Sequence, residues 1–265
     1  MSRDPIIEPA DVPALGAFVL LDVRDPAAFE AGHFARAIRV PIESWEEAAK
    51  DRTTSFDNVA WWERAVGGLG IDGTLPAVVC DDGRLTDAAR IWFILQYLGA
   101  EAFILNGGWP AIATRSDLLT AAQETSDTAP FQAHPGTGPV GLVDRQTLKD
   151  ELTSSVRIFD ARTAEEFSGD DLRRNARGGH LPGAHFVPHT RLLDGGRVRP
   201  AGELRDLLSD AGFQPGASLV THCDGGGRAA IAAAAAVRAG YDDVRAYYLS
   251  FSDWAKDESC PIVRD

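Results

Sequence analysis

The sequence predicts an α/β protein made of two tandem copies of one domain. Two duplications and one recurring order of elements point to it. Residues 19–41, VLLDVRDPAAFEAGHFARAIRVP, and 157–188, RIFDARTAEEFSGDDLRRNARGGHLPGAHFVP, share Asp-x-Arg, a Phe five residues after the Arg, a Gly-His, and a small-residue turn into a short extended run. Residues 76–109 and 217–254 each read as an apolar β-rich run, a Gly-containing loop, a helix-forming stretch closed by Gly99 or Gly240, a second apolar run and a Trp. Strand, loop, helix, strand is the unit from which parallel α/β sheets are built.

Taken in order, Asp22, Arg24 and Phe29 of the first copy match Asp160, Arg162 and Phe167 of the second at one offset. Gly32 and His33 match Gly179 and His180 only after about nine extra residues in the second copy, which bring in Arg173, Arg174 and Arg177. Between the copies, residues 116–139 are polar, rich in Pro and Gly toward their end (SDTAPFQAHPGTGP), and carry no sustained period. They read as a linker between a first domain at 1–115 and a second at 140–265. At ~100 to 200 residues per domain, a chain of 265 accommodates both.

Composition excludes several classes. With 45% hydrophobic and 25% charged residues the chain is globular rather than disordered. Its 39 acidic and 26 basic residues leave a net charge of −13, which opposes binding to nucleic acid or to anionic membranes, since both rest on neutralising phosphate with Lys and Arg. Three cysteines imply no disulfide framework and fit a reducing compartment. The N-terminal MSRDPIIEPADVPAL holds no uninterrupted apolar segment, and no later run approaches the ~18 apolar residues of a membrane span. A cytoplasmic protein is expected.

The chemistry concentrates at residues 218–240, SLVTHCDGGGRAAIAAAAAVRAG. An apolar strand ends at Thr221 and His222, Cys223 opens a loop with Gly225, Gly226 and Gly227, and Ala229 to Ala239 is expected to be helical. Consecutive glycines let backbone N–H groups turn toward one atom. A helix that follows adds its unpaired first-turn N–H groups and the positive end of its dipole. Both favour an anion at Cys223 Sγ, so a reactive thiolate is expected there, with Arg228 adding charge at the rim. In the first copy, counted back from the helix-ending glycine with one residue of slack, Asp81 falls at the place of Cys223 and Cys80 at that of His222, and CDDGR offers one glycine and two carboxylates where an anion would sit. Repulsion there would silence the first loop.

Asp160, Arg162, Gly179, His180, Pro182, Gly183 and Ala184, followed by the loop from Cys223 to Arg228, resemble a tandem-domain rhodanese of the thiosulfate or 3-mercaptopyruvate sulfurtransferase family. The resemblance spans nearly the whole chain, the first copy matching the silent N-terminal domain of such proteins. It implies that each copy is a mainly parallel five-stranded sheet flanked by helices. It also implies that Cys223 carries a sulfane sulfur as a persulfide, cradled by Asp224, Gly225, Gly226, Gly227 and Arg228. The partners implied are a small anionic sulfur donor and a nucleophilic acceptor, cyanide or a thiol, with no cofactor.

Departures from that family bear on the donor. Many relatives place a donor-binding Arg where this chain has Glu166, and Asp224 beside the nucleophile would oppose a dianion. Arg173, Arg174 and Arg177 could compensate as donor contacts or form a solvated patch. Asp160 and Arg162 read as an internal pair bracing the loop, and His180 as a turn-fixing residue. His222 points away from Cys223 if strand alternation continues. Tyr247, Tyr248, Phe251 and Trp254 are expected in the core near the loop, Cys260 is expected to be incidental, and no cluster has the spacing of a zinc site. Two other classes stay open. A cysteine phosphatase or arsenate reductase would use His-Cys-x5-Arg-Ser/Thr, whereas here four residues separate Cys223 from Arg228 and Ala229 follows. A low-turnover sulfur-relay or binding module would tolerate Glu166 and Asp224.

Overall fold

The apolar runs of the first copy form β1 (Ile6–Ile7), β2 (Val19–Asp22), β3 (Ile38–Arg39), β4 (Ala77–Cys80) and β5 (Ala102–Leu105), with helices α1 (Pro26–Ala31), α2 (Ile42–Lys50), α3 (Val59–Gly67), α4 (Thr86–Tyr97) and α5 (Gly108–Ile112). This computed structural model describes residues 4–125 and 128–264. Met1–Arg3 of the N-terminal stretch, Ser126 and Asp127 of the expected linker, and Asp265 lie outside the described residues. The second copy follows with β6 (Gly141–Leu142), α6 (Arg145–Glu151), β7 (Arg157–Asp160), α7 (Ala164–Ser168), β8 (Ala184–Phe186), the short strands β9 (Leu193–Asp194) and β10 (Arg197–Val198), α8 (Ala201–Asp210), β11 (Leu219–His222), α9 (Gly227–Ala239), β12 (Val244–Ala246) and α10 (Ser250–Trp254).

Each copy builds one five-stranded parallel sheet, ordered β1-β5-β4-β2-β3 and β6-β12-β11-β7-β8. The two orders are the same topology, as the sequence duplication requires. β4 and β11 are buried along their whole length, which is why they read as continuous apolar runs rather than as alternating ones. Helix α9 is almost wholly buried, and its alanines let it lie close to both the sheet and α8. Among the described residues no helix is long and apolar enough to cross a membrane.

The register fixes where chemistry can occur. His222 pairs with Asp160 and, in the first copy, Cys80 pairs with Asp22. Cys223 and Asp81 therefore occupy equivalent places, one residue past the central strand, where chain order reverses between β11 and β7 or between β4 and β2. Such crevices beyond the carboxyl ends of parallel strands are where α/β folds bind ligands.

Two boundaries differ from expectation. Helix α9 begins at Gly227 rather than Ala229, because Gly226 at φ 103° makes the turn and leaves Gly227 and Arg228 free to enter the first helical turn. The chain divides between Gly138 and Pro139, so the stretch expected as a linker belongs to the first unit. Ala122 bridges to Phe18, Ala129 N donates to Gly67 O and His134 N donates to Leu98 O. Phe131 and Ala133 are buried along it. These single anchors follow no helical or strand period, which is why the stretch reads as linker.

Candidate active site beyond the central strand

Strand β11 delivers Cys223 to the mouth of α9, where the residue is 1% exposed. Its Sγ accepts a hydrogen bond from Gly226 N at 3.1 Å. Its backbone N donates to Ser250 Oγ at 3.1 Å, and its carbonyl accepts from Phe251 N at 3.0 Å. Ser250, buried at the start of α10, stands at φ 60°, a conformation that costs a non-glycine residue ~1–2 kcal/mol. Its hydroxyl lies 2.9 Å from Tyr247 O and 3.7 Å from Cys223 Sγ. Local strain held in place by this many contacts marks functional loops more often than ordinary turns. Sequence reasoning missed Ser250; a polar residue within the apolar YYLSF run was the available signal.

Arg228, in the first turn of α9, does not stand open at the rim. Glu166 of α7 holds it bidentately, at 2.5 Å from Nη1 to Oε2 and 2.8 Å from Nη2 to Oε1. Glu166 is 1% exposed and completes a capping box with Thr163, whose N donates to Glu166 Oε2 at 3.0 Å. Burial alone would raise the Glu166 carboxyl; the Arg228 guanidinium and the Thr163 N–H outweigh it and hold it down at about 2. Desolvation pulls Arg228 the other way, but its bonds to Glu166 raise it further above its ordinary value. His189 lies in the same field, pushed down by burial and by Arg228, and its buried Nδ1 has no partner among the described residues.

The other predicted residues separate into groups. The Asp224 carboxylate accepts from Asn175 Nδ2 at 2.7 Å, so the inserted segment reaches the loop after Cys223 through a neutral amide. Arg173 stands 3.8 Å from Glu166 and is largely exposed, while Arg174 is exposed and makes no ion pair among the described residues. Arg177 is turned away from the donor-contact role considered for it. It donates to the carbonyls of Trp254, Ala255, Asp257 and Cys260, pinning the turn after α10. Gly179, at φ 116°, leaves no room for a side chain, since a Cβ there would lie 2.3 Å from Val263 O.

Asp160 and Arg162 form a buried pair, with Nη2 to Oδ2 at 2.6 Å, and Arg162 also donates to Gly179 O at 2.8 Å. The first copy repeats this with Asp22, Arg24 and Gly32 at 2.6 and 2.8 Å. His180 stacks on Phe167 at 3.8 Å with Nδ1 3.1 Å from Phe167 O, and His33 does the same on Phe29 at 3.9 and 2.9 Å. Presence in both copies makes these features part of the fold rather than of one copy's chemistry. His222 is fully buried, with Nε2 3.3 Å from Asp160 Oδ2, and burial pushes its imidazole down. Tyr247, Phe251, Trp254 and Cys260 belong to one buried cluster.

In the first loop, Asp81 stands in place of the cysteine. Its Oδ1 accepts from Gly83 N at 2.8 Å and its Oδ2 from Ala88 N at 3.3 Å. Burial raises this carboxyl to about 6, against the two N–H groups. Cys80 lies beneath it in the core, its thiol pushed well up by burial and by Asp22. Among the described residues no group of three or more His, Cys, Asp or Glu side chains could hold a metal ion.

Comparison with known proteins follows the duplication. The Rhodanese-like domain family matches residues 10–115 and again 144–257. SseB of Mycobacterium tuberculosis is 31% identical over 260 residues, covering 92% of this chain and 90% of that one. The thiosulfate sulfurtransferase of Pseudomonas aeruginosa is 28% identical, covering 97% and 96%, and the 3-mercaptopyruvate sulfurtransferase of Escherichia coli K12 is 27% identical, covering 87% and 83%. The wild-type structure of EanB superimposes with a TM-score of 0.83 at 19% identity, over 98% of this chain and 69% of that one, a likeness of fold.

Proposed function

The chain belongs to the rhodanese family, with one copy of the domain in each unit, and from that premise we propose that it is a sulfurtransferase moving a sulfane sulfur from a thiosulfate-like donor to cyanide or a thiol through a persulfide on Cys223. The observation that carries the reading is the Gly226 N–H directed at Cys223 Sγ at the mouth of α9. A backbone donor 3.1 Å from sulfur, backed by the helix N-terminus, favours the thiolate on that atom and so also its role as the group that leaves when the persulfide is discharged.

The steps balance without a cofactor. The Cys223 thiolate attacks the outer sulfur of the donor, a new S–S bond forms, and the bond to the donor's remaining fragment breaks; with thiosulfate, sulfite leaves with the electron pair. The acceptor, as cyanide or thiolate, then attacks the terminal persulfide sulfur and the Cys223 thiolate leaves. Asp160, Arg162 and His180 brace the loop, and Gly226 and Ser250 hold the sulfur's surroundings. Two features weigh against the phosphatase reading: the loop is one residue shorter than His-Cys-x5-Arg, and Arg228 is engaged by Glu166.

Mass spectrometry tests the reading. Incubation with a sulfane donor is expected to add one sulfur, ~32 Da, as the covalent intermediate, and subsequent cyanide to remove it as thiocyanate. An adduct that persists in Cys223→Ala, or none with any sulfane donor, overturns the proposal.

A further inference from the structure

We propose that Glu166, by occupying Arg228, sets the donor class of the Cys223 site to sulfane compounds carrying at most one negative charge, thiosulfonates and organic persulfides, in preference to the thiosulfate dianion. The inference rests on sulfur transfer through Cys223 and names the substrate class of that site.

The charged groups around Cys223 nearly cancel. Arg228 is the cation that the sequence places next to the nucleophile loop, and both its terminal nitrogens are engaged by one carboxylate, at 2.5 and 2.8 Å. Glu166 cannot easily swing aside, because the same side chain caps α7 through Thr163 and is 1% exposed. The pair is neutral as a whole. Asp224, one residue after the nucleophile, adds a carboxylate whose partner, Asn175, brings no charge. Arg173 is the remaining basic group in reach of Glu166, at 3.8 Å and 54% exposed, where solvent screens it. Arg162 and Arg177 are committed to Asp160 and to backbone carbonyls, and Arg174 is exposed, where solvent screens it as it does Arg173. Formal charges on Glu166, Asp224, Arg228 and Arg173 cancel, and the Cys223 thiolate makes the site negative. A dianion meets repulsion there; a donor with one charge fewer meets less of it.

The test compares thiosulfate with benzenethiosulfonate, which presents the same sulfane sulfur on a sulfonyl group with one negative charge less, using cyanide as acceptor and the full chain. Because the leaving groups differ, the readout is how the ratio of the two kcat/KM values changes on Glu166→Gln. Removing one charge is expected to shift that ratio toward thiosulfate on the order of tenfold, as for a unit charge ~10 Å away at an effective dielectric of ~20, with the change in KM. Thr163→Ala removes the capping partner and leaves the charge, so it is expected to lower stability without moving the ratio. If Glu166→Gln fails to fold, ionic strength decides on the unmodified protein: added salt lowers the KM for thiosulfate at a negative site and raises it at a positive one. A ratio unmoved by Glu166→Gln, an equal shift from Thr163→Ala, or a KM for thiosulfate that rises with salt overturns the inference while sulfur transfer stands. Transfer from neither donor, or transfer surviving Cys223→Ala, overturns the underlying function as well.

Discussion

Replacing Glu166 with Gln should destabilise the second unit by an amount that depends on pH in a defined direction. The Glu166 carboxyl is lowered from 4.5 to about 2 in the folded chain. A carboxyl depressed by folding contributes stability above its unfolded value and loses it as pH falls through the folded one. The difference corresponds to about 3 kcal/mol at pH 7, less than half of that at pH 3, and a few tenths at pH 2. Protonated Glu and Gln are nearly isosteric and both neutral, so wild type and variant should converge in acid. The unit's own unfolding is best followed by urea titration with hydrogen exchange read from peptides of β11 and α9, since five of the six tryptophans lie in the first unit. A gap that is constant from pH 7 to pH 3, or one well under ~1 kcal/mol at neutral pH, would show that the Arg228 pair does not carry this stability.

Two further outcomes are expected. Ser250→Ala leaves the buried Cys223 N–H without its acceptor and should lower the stability of the second unit by ~1–3 kcal/mol, measured by the same exchange assay; an unchanged value removes Ser250 as the loop's anchor. Asp81 behaves oppositely to Glu166, because burial raises it from 3.8 to about 6, so the first unit loses stability as pH rises through that interval. Asp81→Asn should therefore stabilise the first unit at pH 7 by about 2 kcal/mol, the ~3 from the raised carboxyl less ~1 for the Ala88 acceptor, and flatten its pH dependence between pH 4 and 7. A neutral or destabilising effect at pH 7 contradicts this reading.

Much of the architecture was legible because it is written twice. The Asp-x-Arg and Gly-His pairs recur, and the structure gives both copies the same buried ion pair and the same stacked histidine. The strand, loop and helix around Cys223 are local in sequence, so the order of residue types along residues 218–240 located them. What escaped was long-range. Glu166 stands 62 residues from Arg228 and Ser250 stands 27 from Cys223, and no spacing rule connects such partners. Glu166 was visible as an anomaly; that it neutralises Arg228 was not. Phe131 escaped for another reason, since a lone anchor in a Pro/Gly stretch has no period.

The first copy's loop has a consequence for any titration of this protein with anions. Asp81 presents its carboxylate to Gly83 N and Ala88 N from the loop itself. A ligand attached to its own receptor by two bonds acts at an effective concentration that a dissolved competitor does not match. The two N–H groups of the first loop are in that sense already engaged by the chain itself. A small sulfur compound added to the chain should accordingly bind at the Cys223 loop alone, and binding stoichiometry, not sequence count, would report how many rhodanese sites this duplicated protein has.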